Sequence, residues 1–95
     1  MPAYVLVEVD IHDQDIYEEY KKHTPESIAE YGGKFIIRGN PIQVLEGEWN
    51  HDRLVMLEFK DRETAEKWYY SEKYTKAREI RSKGSKANFF IVDLK

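Results

Sequence analysis

Residues 3–11 read Ala-Tyr-Val-Leu-Val-Glu-Val-Asp-Ile, and this pattern is the strongest indication of the fold class. Its odd positions are all aliphatic, whereas its even positions mix apolar and acidic side chains. Successive side chains of a β-strand point to opposite faces, so this alternation predicts a strand with one apolar face and one mixed face. The mixed face carries Tyr4, Leu6, Glu8 and Asp10, and His12 follows in the same phase.

A helical pattern follows this strand. Asp13 is placed to cap the helix, and apolar side chains recur at helical spacing as far as Tyr31. We expect Pro25 to divide the pattern into two pieces, because the residue before a proline avoids the helical conformation. The pair Gly32-Gly33 supplies the left-handed residue with which many helices end.

The rest of the chain alternates strands with a second helical region. Strands are predicted at residues 34–38, with an extension at 42–45 beyond the turn Gly39-Asn40-Pro41, at residues 53–59 and at residues 88–94. Asp61 begins a helical pattern that pauses near Ser71 and then resumes. The order β-α-β-β-α-β is that of ferredoxin-like α+β folds, with a four-stranded antiparallel sheet and helices on one face.

The composition narrows the class of protein. A chain of 95 residues fits a single domain spanning 1–95, and the absence of cysteine excludes disulfides and thiolate chemistry. The formal net charge of −3 argues against a nucleic-acid partner. No stretch approaches the roughly 20 apolar residues of a membrane span, so we expect no membrane partner and a cytoplasmic location.

The mixed face of the predicted sheet indicates a partner. In a monomer its apolar side chains would face water, and an apolar patch on a small domain is typical of an interface. Two such sheets packed face to face in a closed two-fold dimer would cover it, so we expect a homodimer that encloses a barrel-like interior. The side chains concerned are Tyr4, Leu6, Ile36, Leu54 and Met56.

The same face carries the candidate ligand pocket, formed by Glu8, Asp10, His12, Arg38 and Glu58. If the strand phases hold, Glu8 and Glu58 approach each other with Arg38 across the ladder. Two carboxylates forced together in a water-poor cavity raise one pKa, which would suit a general acid or base. The same residues could instead form a ligand pocket, or an arginine–carboxylate network that only lines the dimer interface.

Two other interpretations are weaker. Glu8, Asp10 and His12 could ligate a divalent metal, but Cα atoms two residues apart on a strand are roughly 6.5–7 Å apart, so we expect no metal site. The aromatic cluster Trp68, Tyr69, Tyr70 and Tyr74 could line a cofactor pocket. Helical spacing favours a role in covering the apolar face of the sheet, and we expect no cofactor.

Several segments recur together at this spacing in a known family. They are Tyr31-Gly32-Gly33-Lys34, Ile37-Arg38-Gly39, Leu45-Glu46-Gly47-Glu48-Trp49, Arg53-Leu54-Val55, Glu58-Phe59 and residues 65–74, followed by Arg78 and Arg81. The chain resembles the domain of unknown function 1330 family of the dimeric α+β barrel superfamily. Asn40 departs from the pattern, since such sequences often have a second glycine there. The resemblance implies a dimeric barrel and carries no established reaction.

Three functions therefore remain open at the level of sequence. The first is a dimer that binds a small molecule, in a pocket between sheet and helices or in the dimer interior. The second is a cofactor-free enzyme of the monooxygenase-like or isomerase-like kind, which the superfamily resemblance suggests. The third is a purely structural or interaction dimer.

Overall fold

Four strands and three helices make up the computed structural model, which describes residues 1–94. They are β1 (Ala3–Ile11), α1 (Gln14–Glu30), β2 (Lys34–Arg38), β3 (Arg53–Phe59), α2 (Arg62–Tyr69), α3 (Glu72–Ser82) and β4 (Ser85–Asp93). The strands form one antiparallel sheet in the order β2-β3-β1-β4. The predicted ferredoxin-like α+β fold is confirmed, and the second helical region consists of α2 and α3.

Each helix begins at a polar side chain that accepts a hydrogen bond from a backbone N–H of the first turn. Asp13 Oδ1 accepts from the N–H of Ile16 at 3.2 Å, and Asp61 Oδ1 accepts from the N–H of Thr64 at 2.8 Å. Ser71 begins α3 in the same way. Both aspartate caps were predicted, because such a residue satisfies one of the free N–H groups at a helix start.

The expected break at Pro25 is wrong, because α1 continues through it from Gln14 to Glu30. A proline removes only one backbone donor, and neighbouring side chains supply hydrogen bonds around this point. The Thr24 hydroxyl donates to the Tyr20 carbonyl at 2.9 Å, and the Ser27 hydroxyl donates to the Thr24 carbonyl at 2.8 Å. Burial of apolar side chains on both sides of the proline holds the two halves in one helix.

The predicted helix end at Gly32-Gly33 is confirmed. Gly32 has a φ of +70°, a left-handed conformation that glycine adopts without strain, and the N–H of Gly33 donates to the Ile28 carbonyl at 3.0 Å. A Cβ atom on Gly33 would lie 2.5 Å from the Phe59 ring. The second glycine therefore allows the chain to pass close against β3.

The predicted strand extension at residues 42–45 is wrong, because the segment between β2 and β3 contains no strand. Gly39, at a φ of +69°, turns the chain, and its N–H donates to the Leu54 carbonyl at 3.0 Å. β2 is an edge strand whose one neighbour, β3, begins at Arg53, so an extension would have no strand to pair with. The last strand also begins earlier than predicted, at Ser85.

The two faces of the sheet differ in what covers them. The odd residues of β1 and β3 are buried beneath the helices on what we call the helix-covered face. Trp68 is 1% exposed there and packs on Tyr74, with ring centroids 4.1 Å apart, which confirms its predicted role in the core. The even residues of β1 and β4 lie on the opposite face, called the open face, where Phe90 is 51% and Val92 is 46% exposed.

Within residues 1–94, no helix has the length and apolar character needed to span a bilayer.

Candidate functional site

The predicted pairing of Glu8 with Glu58 is wrong. Both residues belong to the open face, but strand register places Glu8 opposite Leu54, whereas Glu58 lies opposite Tyr4. The two carboxylates are therefore separated by four residues along the sheet, about 13 Å. Glu58 instead pairs with Lys34 of the edge strand, with Oε2 to Nζ at 3.3 Å.

Arg38 does not lie with these carboxylates either. A bulge in β2 shifts the register between Phe35, which faces Leu57, and Ile37, which faces Met56. Arg38 consequently lies opposite Val55, which is buried under the helices, and the expectation that it shares the open face is wrong. A one-residue shift of register transfers a side chain to the other face of the sheet. The Arg38 guanidinium carbon lies 4.3 Å from the centroid of the Phe35 ring.

The open-face carboxylates gather around a histidine that was not predicted. His51, at the end of the β2–β3 loop, places Nδ1 3.2 Å from Asp10 Oδ2 and Nε2 3.7 Å from Glu8 Oε1. Asn88 of β4 also donates to Glu8 Oε1, at 3.3 Å. Trp49 packs edge-on against the His51 ring, with centroids 5.1 Å apart.

His12, which the strand phase grouped with these acids, is exposed just beyond the end of β1. The sequence did contain a signal for His51. It lies two residues before β3, the strand that pairs antiparallel with β1, and therefore next to the end of β1 that carries the acids.

For the part of the chain that the structure covers, no group of three or more His, Asp or Glu side chains is arranged to hold a metal ion.

A cavity lies on the other side of the sheet, between α1 and the helix-covered face. Its volume is about 30 Å³. α1 packs on α3, and its buried side chains Tyr17, Tyr20 and Ile28 join the core above the sheet. We call this cavity the inter-layer pocket; its lining includes Val9, Val55 and Leu57 of the sheet, Tyr17 and Thr24 of α1, and Trp68 of α2.

Three arginines converge on the inter-layer pocket from different elements. They are Arg38 of β2, Arg53 of β3 and Arg81 of α3. The Nε atoms of Arg53 and Arg81 are inaccessible to solvent and have no hydrogen-bond partner. The ion pairs of the described residues include none of the three arginines. The pocket therefore concentrates positive charge that no ion pair of the described residues compensates.

Aromatic rings partly compensate for this charge. The Arg81 guanidinium carbon lies 4.8 Å from the Phe89 ring centroid and 5.9 Å from that of Tyr20, and the Arg53 carbon lies 5.6 Å from the Tyr17 ring centroid. The negative face of an aromatic ring attracts a cation, but it does not accept hydrogen bonds as a carboxylate does. The N–H groups of these arginines thus remain available to a ligand.

The tyrosine hydroxyls near the pocket stay protonated at neutral pH. Burial raises the pKa of Tyr17 to about 12, although the nearby Arg53 and Arg81 oppose this shift. Burial also raises the pKa of Tyr20, whose hydroxyl lies 2.8 Å from that of Tyr74. A protonated phenol can donate a hydrogen bond to a ligand but does not act as a base.

The fold and the site together define a ferredoxin-like α+β protein with a pocket between its two layers and an apolar open face. The chain belongs to the family described as Domain of unknown function (DUF1330), whose model matches residues 2–94. Curated protein sequences give no significant match to this chain.

Several solved structures share the fold. A protein of unknown function from Rhodopseudomonas palustris, RPA0582, is 17% identical, with a TM-score of 0.80 over 99% of this chain and 83% of that one. A dimeric ferredoxin-like protein of unknown function from Jannaschia sp. CCS1 is 14% identical, with a TM-score of 0.77 over 99% and 100% of the two chains. SnoaB, a cofactor-independent oxygenase from Streptomyces nogalater, is 11% identical, with a TM-score of 0.67 over 99% and 93%. At these identities the likeness establishes the fold alone.

Proposed function

We propose that the protein is a homodimer in which each protomer binds a small organic molecule in the inter-layer pocket. The observation that carries this proposal is the cavity itself, which combines an apolar floor with a few convergent polar groups. That composition is typical of ligand sites, which use apolar contacts for affinity and polar groups for orientation. Val55 and Leu57 belong to the floor, and the Tyr17 hydroxyl and the guanidinium groups supply the polar contacts.

Binding accounts for this geometry better than the two alternatives do. Acid–base catalysis on the open face needed Glu8 and Glu58 close together, and the register separates them. A purely structural role leaves the buried Nε atoms of Arg53 and Arg81 unexplained, because native structures pair nearly all buried donors. Three arginines around a gap would also destabilise a core, because burying a charge without a partner is unfavourable.

The open face supports the dimer. Its apolar centre consists of Tyr4, Leu6, Leu54, Met56 and Phe90. Carboxylates and lysines lie towards the edges, as in interfaces with an apolar core and a polar rim. A second copy of the sheet presents the same pattern, so two open faces can bury each other around a two-fold axis. The Jannaschia protein, which shares the fold, is described as dimeric.

Native mass spectrometry tests the proposed pocket. We expect the gently purified protein to carry a small organic molecule, and Val55→Phe to lose it because the larger side chain fills the cavity. Val44→Phe is the matched control, since Val44 is exposed in the loop between β2 and β3. Retention of the molecule by Val55→Phe would contradict the proposed site. A bare protein whose Trp68 emission no compound of a small-molecule library alters would contradict binding altogether.

A further inference from the structure

We propose that the ligand of the inter-layer pocket carries a carboxylate group, which Arg53 and Arg81 bind. This inference rests on the proposed function, because it names the chemistry of a ligand for the same pocket. It extends that function from a small molecule of any kind to organic acids.

The first argument is the uncompensated charge of Arg81. This residue is 7% exposed, and its Nε atom is buried without a hydrogen-bond partner. A buried donor that is left unpaired destabilises a protein, and the penalty is greater when the group is charged. Native structures therefore pair nearly all such groups. An anionic ligand would provide the missing acceptor for Arg81, and also for the Nε atom of Arg53.

The second argument is that the surrounding acids are engaged elsewhere. Glu18, on the α1 turn nearest this end of the pocket, pairs with Lys21, with Oε2 to Nζ at 2.6 Å. The ion pair with Lys21 also lowers the pKa of Glu18, so this carboxylate stays ionised and bound to its lysine at neutral pH. Glu8, Asp10 and Glu58 lie on the opposite face of the sheet. Glu18 also interacts electrostatically with Arg53 but forms no ion pair with it, so the acids of residues 1–94 compensate the charge of the pocket only in part.

The third argument is the size of the cavity. About 30 Å³ is roughly the space that one water molecule occupies in the liquid, so the enclosed part suits a group of a few atoms and not a ring. A carboxylate is of this size and is planar, and guanidinium groups bind it through two parallel N–H···O bonds.

The rest of the ligand has a path out of the pocket. Among the lining residues Arg38 is exposed, whereas Lys21, Phe35, Arg53 and Phe89 are half-buried. We place the opening at Arg38, between α1 and β2. The Phe35 ring offers an apolar surface there, and the charges of Lys21 and Arg38 flank it. We therefore expect an organic acid whose carboxylate is enclosed and whose apolar body lies along this opening.

Two compounds of the same shape test the carboxylate. Benzoate carries the charge, and benzamide replaces it with a neutral amide. Each would be titrated into a Trp49→Phe protein, in which Trp68, a lining residue of the pocket, is the one remaining tryptophan and reports binding by its emission. We expect benzoate to bind at least about tenfold more tightly than benzamide, since a hydrogen bond to a charged group contributes about 1.5–3 kcal/mol.

The arginine variants locate the contact. Arg53→Met and Arg81→Met should each weaken benzoate binding at least about tenfold and leave the binding of benzamide unchanged. Arg78→Met is the matched control, because Arg78 also belongs to α3 and lies 4.5 Å from the centroid of a tyrosine ring, Tyr69, but does not line the pocket. Arg81→Lys keeps the charge and loses the planar fork, so it should weaken benzoate binding less than Arg81→Met. Arg81→Lys also tests the contact if Arg81→Met does not fold.

The outcomes separate the two proposals. Equal binding of benzoate and benzamide that Arg53→Met and Arg81→Met leave unchanged, but Val55→Phe abolishes, would contradict the carboxylate and leave a small-molecule pocket in place. The carboxylate would also be contradicted if inorganic phosphate bound more tightly than benzoate and its binding depended on Arg53 and Arg81. If no compound alters Trp68 emission, both the carboxylate and the proposed function are contradicted.

Discussion

The two faces of the sheet are built from the same strands and carry opposite charges. The open face gathers carboxylates, with Glu8 and Asp10 around His51, whereas the helix-covered face gathers the guanidinium groups of Arg53 and Arg81. The open face keeps large apolar side chains in solvent, and the other face buries its own. A strand with alternating side chains can therefore serve two purposes at once, an interface on one face and a ligand pocket on the other.

The two faces also differ in the property that a substitution should change, which is stability on one face and assembly on the other. The helix-covered face is covered within one chain by side chains of all three helices, among them Tyr20 of α1, Trp68 of α2 and Tyr74 of α3. The open face has no such cover within residues 1–94, and in the proposed dimer a second copy would bury it. Substitutions on the first face should change the stability of each protomer, and substitutions on the second should change the association of protomers.

The largest effect is expected at Trp68. Trp68→Ala should lower the free energy of unfolding by about 3–5 kcal/mol, the usual effect of deleting a buried aromatic ring. The ring packs on Phe59 and Tyr74, and its Nε1–H donates to the Ser27 hydroxyl at 3.2 Å. Urea unfolding measures the loss, which should be the same at low and high protein concentration. Phe90→Ala on the open face is the comparison, and its effect should vary with concentration.

The next effect is on assembly. Met56→Lys should weaken the dimer at least about a hundredfold, equivalent to about 2.7 kcal/mol, because a lysine ammonium would enter an apolar interface. Sedimentation velocity over a range of concentrations measures the change. Ser82→Lys adds the same charge at an exposed position of α3 and should leave the dimer intact. An unchanged dimer in Met56→Lys would show that the open face is not the interface.

Alkaline pH should affect the helix-covered face. The pKa values of Tyr17, Tyr20 and Tyr74 are raised by burial, that of Tyr17 to about 12. A group whose pKa is raised in the folded state stabilises the fold fully below its unfolded pKa, near 10, and loses that contribution as the pH rises through the folded value. Stability should therefore fall between about pH 10 and pH 12.

Absorbance at the tyrosinate band, read beside circular dichroism, follows this transition. We expect these three hydroxyls to ionise together with unfolding. A Tyr17→Phe variant should shift the alkaline transition to higher pH, since it removes one group that must stay protonated. Ionisation of all seven tyrosines near pH 10 in the folded protein would contradict the burial of this face.

The smallest effect is expected at Arg38. Its side chain is exposed at the opening of the pocket and interacts chiefly with the Phe35 ring, so Arg38→Met should lower stability by no more than about 1 kcal/mol. The loss should be equal at pH 5 and pH 8, because the ion pairs found within residues 1–94 include no carboxylate partner of Arg38. A large loss of stability that disappears at low pH would show that Arg38 pairs with carboxylates of the open face.

The strand faces and helix ends that were predicted correctly depend on local patterns in the sequence. Alternation in β1 and β3 assigned buried and open faces correctly, and Asp13, Asp61 and Gly32-Gly33 marked helix ends. These features are local because each depends on side chains within a few positions of one another.

The candidate site depended on relations that no local pattern contains. A bulge between Phe35 and Ile37 moved Arg38 to the other face, and alternation alone does not show an inserted residue. The separation of Glu8 from Glu58 follows from the register of two strands distant in sequence. The inter-layer pocket was expected only in general terms, because its lining comes from helices and strands that are distant in sequence. Arg53 and Arg81 carry no sequence signal for their convergence.

One spectrum tests the central claim that ligand and partner use opposite faces. The chain has two tryptophans, Trp68 in the pocket and Trp49 beside His51 on the open face, so a ¹H–¹⁵N spectrum shows one indole signal for each. Addition of benzoate should shift the indole signal of Trp68 and leave that of Trp49 in place. A shift of Trp49 with Trp68 unmoved would place the ligand on the open face and contradict the account.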